Sequence, residues 1–293
     1  MQPKGLHRKL TAILSADVAG YPEDKILHCL YQLGHFYALK FGKADHHVEN
    51  TVLHAARFSL QAISKSDAAY HDVDHTILVT FAGQAILEGL HVSGRTVTKR
   101  DWGLFTTALL FHDIGYVREL CKRDHGNLVA TGTGNELIEL PVNSTDAALS
   151  RYHVDRSLMF VRERFRAEFD TQELLNSEVI TNYIEMTRFP FPSGEDENPD
   201  PLSELVRAAD LIGQLGDPNR LQKCSALFKE FEEIGLNAKL GYRRPEDLRN
   251  DNASFYWKIA SPYIQRALVY LNLTREGRRW IANLQANVGE PII

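Results

Sequence analysis

Apolar side chains recur along most of this chain at the three- and four-residue spacing of amphipathic helices. Pro22 followed by Glu23 and Asp24 marks a helix start, because Pro suits the first turn and acids favour its positive dipole end. From there the run to Phe41 places Ile26, Leu30, Leu33, Tyr37 and Phe41 on one face. The same spacing predicts helices over 48–65, 72–90, 145–165, 171–187, 202–213, 219–234, 252–271 and 274–287. Thr98 and Asp101 have capping-box spacing ahead of an apolar helix over 101–112. Two segments break the rhythm. Residues 123–143 are rich in Gly, Asn and Thr and read as a long loop, a candidate lid; residues 189–201 hold four prolines among acids and read as a second loop. No internal repeat and no low-complexity tract interrupts the helices, and the predicted fold class is all-α, with residues 22–293 forming one domain.

Composition narrows the function classes. The chain has 293 residues, 44% hydrophobic and 24% charged, with a formal net charge of -5. That balance gives no global attraction to nucleic acid or to an anionic membrane, so an anionic substrate would have to be held by local cations or metal ions. Cys29, Cys121 and Cys224 are odd in number, widely separated and without CxxC spacing, which argues against a disulfide framework and for a reducing compartment. The longest apolar run, at 102–111, falls far short of the roughly 20 residues of a membrane span, and no apolar leader with a small-residue cleavage site opens the chain. A cytoplasmic protein is expected. No phosphate-loop, dinucleotide or nucleophile-elbow motif is present, which disfavours a kinase, a dinucleotide enzyme or a serine hydrolase.

Three short stretches carry chemistry. In "AAYHDVDHTILVT", His71 and His75 stand four positions apart; one helical face would bring them side by side. Such a pair fits a solvated helix start, or a metal ligand with a proton donor beside it. In "TALLFHDIGYV", His112 and Asp113 follow an apolar run. A helix buried enough to read ALLF ends in two polar groups when they cap it, with Gly115 as the C′ residue, or when they are paired or metal-bound. In "LVRAADLIGQL", Asp210 interrupts an apolar helix beside Ala208 and Ala209, and a buried carboxylate calls for a cation, an amide or an arginine such as Arg207.

Taken in order, His75, His112-Asp113 and Asp210 resemble the HD-domain superfamily of metal-dependent phosphohydrolases, whose signature is H…HD…D on an all-α scaffold. "YHDVDHTILVT" is similar to the motif of its cyclic-nucleotide phosphodiesterase branch, where a second histidine follows the first by four residues. The resemblance covers roughly 50–215 and implies an HD/phosphodiesterase-like helical bundle with one or two divalent metal ions (Mg, Mn, Fe or Zn). It implies His75, His112, Asp113 and Asp210 as metal ligands, Asp113 as the bridge to a second metal, and His71 as the general acid for a leaving oxygen. The implied substrate is a small phosphate ester, a nucleotide or cyclic nucleotide among the candidates. No nucleic-acid or membrane partner is indicated, and a homodimer is a candidate assembly.

The chain also departs from the branch. Asp72 stands where the phosphodiesterases carry Asn, and this acid is placed to bind His71. Ile114-Gly115-Tyr116 replaces His-Pro-Gly, and the glutamine and aromatic clamp of the nucleotide base have no assigned counterparts. His153 resembles a later histidine that some HD proteins add to a second metal site, and it also fits a surface helix start. Glu185 falls where variants put a further ligand, and Arg188 suits bidentate phosphate contacts; a surface glutamate and a core-edge arginine are the competing readings. Arg118 and Lys122 are further phosphate candidates, or a solvated helix face. HD-fold di-iron oxygenases use extra histidines in this interval, where His125 and His153 lie, and a non-catalytic nucleotide-binding regulatory domain is the third reading. Residues 8–21 resemble the opening strand of class III nucleotide cyclases, whose metal-binding Asp would be Asp17. That resemblance stops at Pro22 with no α/β alternation after it, so a remnant is expected and cyclase activity is not.

Overall fold

The computed structural model describes residues 21–42, 45–170, 173–191, 200–289 and 292; the cyclase-like segment with Asp17 lies outside them. Helices dominate, and the fold is all-α with one small hairpin. Helix α1, Pro22–Phe41, starts at the predicted Pro22 and buries Ile26, Leu30, Leu33 and Tyr37 with Cys29. Helix α2, His47–Ile63, packs beside it.

Helix α3, Val73–Val92, is the central element and is buried on almost every side. Its small residues explain how neighbours come so close. A Cβ on Gly83 would meet Leu109 of α4, Lys99–Phe111, at 2.2 Å. One on Gly213 of α7, Pro201–Leu215, would meet the α-carbon of Val79 at 2.6 Å. One on Gly89 would meet the Tyr270 carbonyl at 2.0 Å. The predicted capping box starts α4: Thr98 Oγ1 accepts from Asp101 N–H at 3.1 Å and Asp101 accepts from Thr98 N–H at 2.9 Å. Buried Trp102 then donates to Gln84 at 2.7 Å, tying α4 to α3 through a satisfied polar pair.

The segment 123–143 is more ordered than a lid. Strands β1, Leu128–Ala130, and β2, Leu137–Glu139, pair antiparallel with Val129 opposite Ile138. A fully buried ion pair pins this hairpin: Arg156 meets both Asp124 oxygens at 2.9 and 3.0 Å and donates to the carbonyls of Gly115, Val117 and Ala130. All five donors of the guanidinium are thus spent on holding one loop to another.

The predicted helix over 145–165 is broken. A 3-10 turn, Asp146–Leu149, is capped by Thr145, and helix α5, His153–Phe160, starts only after residues 150–152 and runs on through a π-helical turn, Val161–Phe165. Helix α6, Ser177–Glu185, begins six residues later than the periodicity suggests, because Asn176 caps it and Asp170 accepts the N–H groups of Leu174 and Leu175 in a preceding turn. Asp200 and Pro201 start α7. Helix α8, Arg220–Glu233, is followed by short helices α9, Leu236–Leu240, α10, Pro245–Asn250, and α11, Asn252–Phe255. The predicted helix 252–271 contains a π-helical turn, Tyr256–Ala260, before α12, Ser261–Leu271, and Pro262 opens that last section. Helix α13, Arg275–Val288, closes the described chain. Among the described residues no helix is long and apolar enough to cross a membrane.

Candidate metal centre

Three helix segments bring the predicted ligands together. His75 lies in the first turn of α3, His112 at the end of α4 with Asp113 next to it, and Asp210 midway along α7. His75 Nε2 is 3.3 Å from Asp113 Oδ2 and 3.6 Å from Asp210 Oδ1. His112 Nε2 is 3.1 Å from Asp113 Oδ2 and 3.6 Å from Asp210 Oδ1. Asp210 reaches His75 because the Gly213–Val79 approach, one turn along both helices, allows α7 to press against α3. Arg207, the sequence candidate for pairing with Asp210, instead donates to the Met186 carbonyl and stacks over Phe191 and Tyr263.

The donor chemistry fits a divalent cation. His112 Nδ1 lies 2.7 Å from the Leu109 carbonyl, which can only accept, so Nδ1 carries the proton and the neutral ring presents a bare Nε2. His112 Nε2 and Asp113 Oδ2 are buried atoms without a hydrogen-bond partner: they approach each other without a hydrogen-bonding angle. Orphaned buried polar atoms are costly, and two of them facing further donors on His75 and Asp210 are what a cation would satisfy. Without a cation the burial of His112 works against its charge, yet Asp113 and Asp210 outweigh it and raise the imidazole to about 9. Burial alone would lift Asp113 too, but the neighbouring His112 charge holds it well below the usual carboxylate range. Burial raises Asp210. A proton thus competes with metal for this set.

The rim of the cluster is built differently. His71 sits in the bend ahead of α3 rather than on the helix with His75. The two rings still stand 5.4 Å apart, near perpendicular. Asp72 does not bind His71. Its carboxylate caps α3 by accepting from the His75 N–H at 2.9 Å. The partner of His71 is Glu230, which the sequence reading missed: His71 Nδ1 and Glu230 Oε2 are 2.6 Å apart, and Oε1 accepts from the N–H groups of Tyr70 and His71 at 2.6 and 3.1 Å. Its signal in the sequence is an acid on the buried stripe of α8, where Cys224 and Leu227 also lie. Burial would lower the His71 pKa, but the charge of Glu230 and its hydrogen bond prevail and lift it to about 9. Burial works to raise Glu230, and the His71 charge brings it below its ordinary value.

His153 joins the site. Its Nδ1 is 2.5 Å from the Ser150 carbonyl, which again leaves Nε2 bare, and Nε2 lies 3.6 Å from Asp113 Oδ1. Burial lowers its pKa to about 4, so the ring is neutral at pH 7. Asp113 therefore turns one oxygen to His75 and His112 and the other to His153. Tyr116, also not foreseen, lies nearly parallel to both rim histidines, with ring centroids 4.6 Å from His71 and 4.5 Å from His153. The contact of α5 with the His112–Tyr116 turn is close. Ser157 donates to the His112 carbonyl at 2.8 Å and accepts from Gly115 N–H at 2.9 Å, and a Cβ on Gly115 would meet the His153 carbonyl at 1.9 Å.

The remaining candidates are occupied elsewhere. Glu185 is not brought into the cluster: its two oxygens pair with Arg188 at 2.5 and 2.9 Å. Arg188 also holds both oxygens of Asp155, at 2.7 and 3.1 Å, so its fork is spent on carboxylates rather than open for a phosphate. Arg118 pairs with Asp146 at 2.8 Å, Lys122 reaches the Glu163 carbonyl at 3.4 Å, and exposed His125 bridges to Leu128 at the hairpin.

The chain belongs to the Npun_R2479-like family, whose model matches residues 23–290, spanning both the cluster and its rim. No curated protein and no solved structure matches the chain.

Proposed function

We propose that this protein is a divalent-metal-dependent phosphohydrolase that cleaves a small phosphate ester, with a nucleotide or cyclic phosphodiester as the first substrates to try. The observation that carries the proposal is the pair of orphaned buried atoms, His112 Nε2 and Asp113 Oδ2, facing His75 and Asp210 with a paired imidazole, His71, alongside. His75, His112, Asp113 and Asp210 would hold the first ion, and Asp113 with His153 the second. Bound there, such ions supply Lewis-acid polarisation of a phosphoryl oxygen and an ionised water. Imidazole and carboxylate together suit Mn, Fe or Zn, and the carboxylates admit Mg.

The residues of the chain divide the remaining work. Glu230 takes the Nδ1 proton of His71 as a hydrogen bond, which fixes the ring and keeps it protonated, so Nε2 is left to deliver a proton to the departing oxygen. Glu230 itself is a positioning residue. Tyr116 backs the His71 ring, and its hydroxyl, raised well above its usual pKa chiefly by burial, stays protonated. The three buried cysteines, free of disulfides, suit the reducing cytoplasm in which we place the protein.

The test is metal analysis of the purified protein, followed by assays of phosphomonoesters and of linear and cyclic phosphodiesters with Mn, Mg and Fe, on wild type and Asp113→Ala. The proposal expects bound metal and turnover in wild type and the loss of both in the variant. Wild type that retains no metal contradicts it, and metal held without turnover supports a regulatory domain instead. A second reading is favoured by one observation, the approach of His153 Nε2 to Asp113 Oδ1: an added histidine donor also suits two irons and oxygen activation. Iron-dependent oxygen consumption without phosphate release would select it.

A further inference from the structure

The two rim histidines come from different parts of the fold. His71 lies in the bend ahead of α3 and is held from α8, by Glu230 at 2.6 Å. His153 opens α5, which is pressed onto the turn after His112, since a Cβ on Gly115 would meet the His153 carbonyl at 1.9 Å. Each imidazole is fixed at Nδ1 by one hydrogen-bond acceptor, Glu230 for His71 and the Ser150 carbonyl for His153. Hydrogen bonds tolerate a broad range of angles, so one bond resists tilting of the ring only weakly. Tilting swings Nε2, the atom that both rings turn towards the centre.

A flat neighbour is what resists tilting, and Tyr116 is that neighbour for both rings. Its plane is 13° from parallel to His71 and 19° from parallel to His153, with centroids 4.6 and 4.5 Å away. The rings of Tyr70 and His75 also adjoin His71, but they meet it edge to face at 79° and 81°. Tyr116 is itself firmly held. It is 2% exposed, and its N–H donates to the Asp113 carbonyl at 3.1 Å. Its hydroxyl donates to Ser150 Oγ at 3.3 Å, on the residue whose carbonyl orients His153. One side chain thus links Asp113, both rim imidazoles and the anchor of one of them.

We propose that Tyr116 is a positioning residue that sets His71 and His153 together, so that proton delivery and the second ion depend on one stacked ring. This rests on the functional reading above, in which His71 is the proton donor and His153 a ligand of the second ion. Both imidazoles converge on Asp113. His153 Nε2 is 3.6 Å from Asp113 Oδ1, and ligand atoms of His71, His75 and Asp113 all lie within 4.8 Å of one another. The first ion is held from α3, α4 and α7 and does not rely on the stack.

The test compares Tyr116→Phe, which keeps the flat ring, with Tyr116→Leu, which removes it. Metal analysis at saturating manganese and steady-state kinetics are run on both variants and on wild type. In Tyr116→Leu the second ion should bind at least about 10-fold more weakly while the first is retained. Its kcat should fall about 10–100-fold with KM nearly unchanged, the mark of misplaced rather than missing groups. Tyr116→Phe should match wild type in both ions and stay within about three-fold of it in kcat. Tyr116→Met, a flexible filler of the same space, carries the leucine expectation if Tyr116→Leu does not fold. A leucine variant with both ions and wild-type kcat would overturn the proposal. So would a phenylalanine variant as impaired as leucine, loss of the first ion along with the second, or a wild type that saturates at one ion. Failure of the functional reading looks different: wild type would release phosphate from no ester, while the metal comparison would still decide whether Tyr116 governs a second ion.

Discussion

The floor and the rim of the candidate metal centre are held by different physics. On the floor, His75 and Asp210 project from α3 and α7 and His112 and Asp113 from the end of α4, and these helices pack so closely that Gly83 has no room for a Cβ against the α4 side chains and Gly213 none against the α3 backbone. Nothing there moves without opening the core, because interiors are packed like crystals. On the rim, His71 and His153 hang on individual hydrogen bonds, one to Glu230 from 159 residues away and one to the Ser150 carbonyl three residues away. Under the proposed function, the capacity to hold a cation is a property of helix packing. The proposed capacity to hold and pass a proton would be a property of a few polar contacts, and substitutions should separate the two.

The largest separable effect is expected at His71. His71→Ala should lower turnover by about 10²–10⁴-fold, the usual contribution of a positioned general acid, while bound metal stays at the wild-type level by elemental analysis. Loss of metal in this variant would make His71 part of the floor. Next comes Gly213→Ala, which touches no polar group in the centre. Its new methyl meets the Val79 backbone, so α3 and α7 must part; overpacking of this kind costs about 1–3 kcal/mol. Denaturant unfolding should show that loss, together with weaker metal retention through displacement of Asp210. Unchanged metal affinity would mean that the floor tolerates helix movement.

A subtler split concerns pH. The folded-state pKa of His71 is raised above its ordinary 6.5, so its stabilising contribution is complete below 6.5 and is lost as pH rises through about 9. Glu230 has a lowered pKa, so its contribution is present above 4.5 and is lost as pH falls through the depressed value. Wild-type turnover should therefore decline on the alkaline side near pH 9. Glu230→Gln should move that decline to lower pH and should destabilise the protein near pH 6 more than near pH 10. An alkaline limb that stays in place in Glu230→Gln would remove Glu230 from the proton relay. The smallest effect is assigned to Asp72→Ala, which removes the cap of α3 for about 1 kcal/mol in melting experiments and should leave the pH profile where it is.

The contrast also governs what could be read from the sequence. The floor was legible because its residues sit in local patterns: a His-Asp pair after an apolar run, and an aspartate among alanines. That they belong to one cluster was implied only by the resemblance of their order to a known signature. Helix starts at Pro22 and Thr98 were legible for the same reason, since caps and first-turn prolines act over four residues. The rim was less legible. Glu230 reaches His71 across more than half the chain, and one acid on an amphipathic helix carries no mark of its partner. Asp72, the near neighbour, was the obvious partner by proximity, yet its side chain is taken by the α3 N-terminus. Residues 145–165 have a helical spacing throughout, but Thr145 caps a separate turn, and the carbonyl of Ser150 is needed to hold His153. Arg188 and Glu185, read either as binding groups or as a core-edge arginine and a surface glutamate, pair with each other over three residues, and only the pairing of Arg188 with Asp155 on α5 depends on distant segments meeting.

The most direct test of the central claim is anomalous X-ray diffraction from crystals of the full chain grown with manganese. The account predicts an anomalous peak within coordination distance of His75 Nε2, His112 Nε2, Asp113 Oδ2 and Asp210 Oδ1, with any second peak on the Asp113 Oδ1 and His153 side. A cluster that stays free of anomalous density at saturating manganese, with the four side chains bonded only to one another, would contradict it.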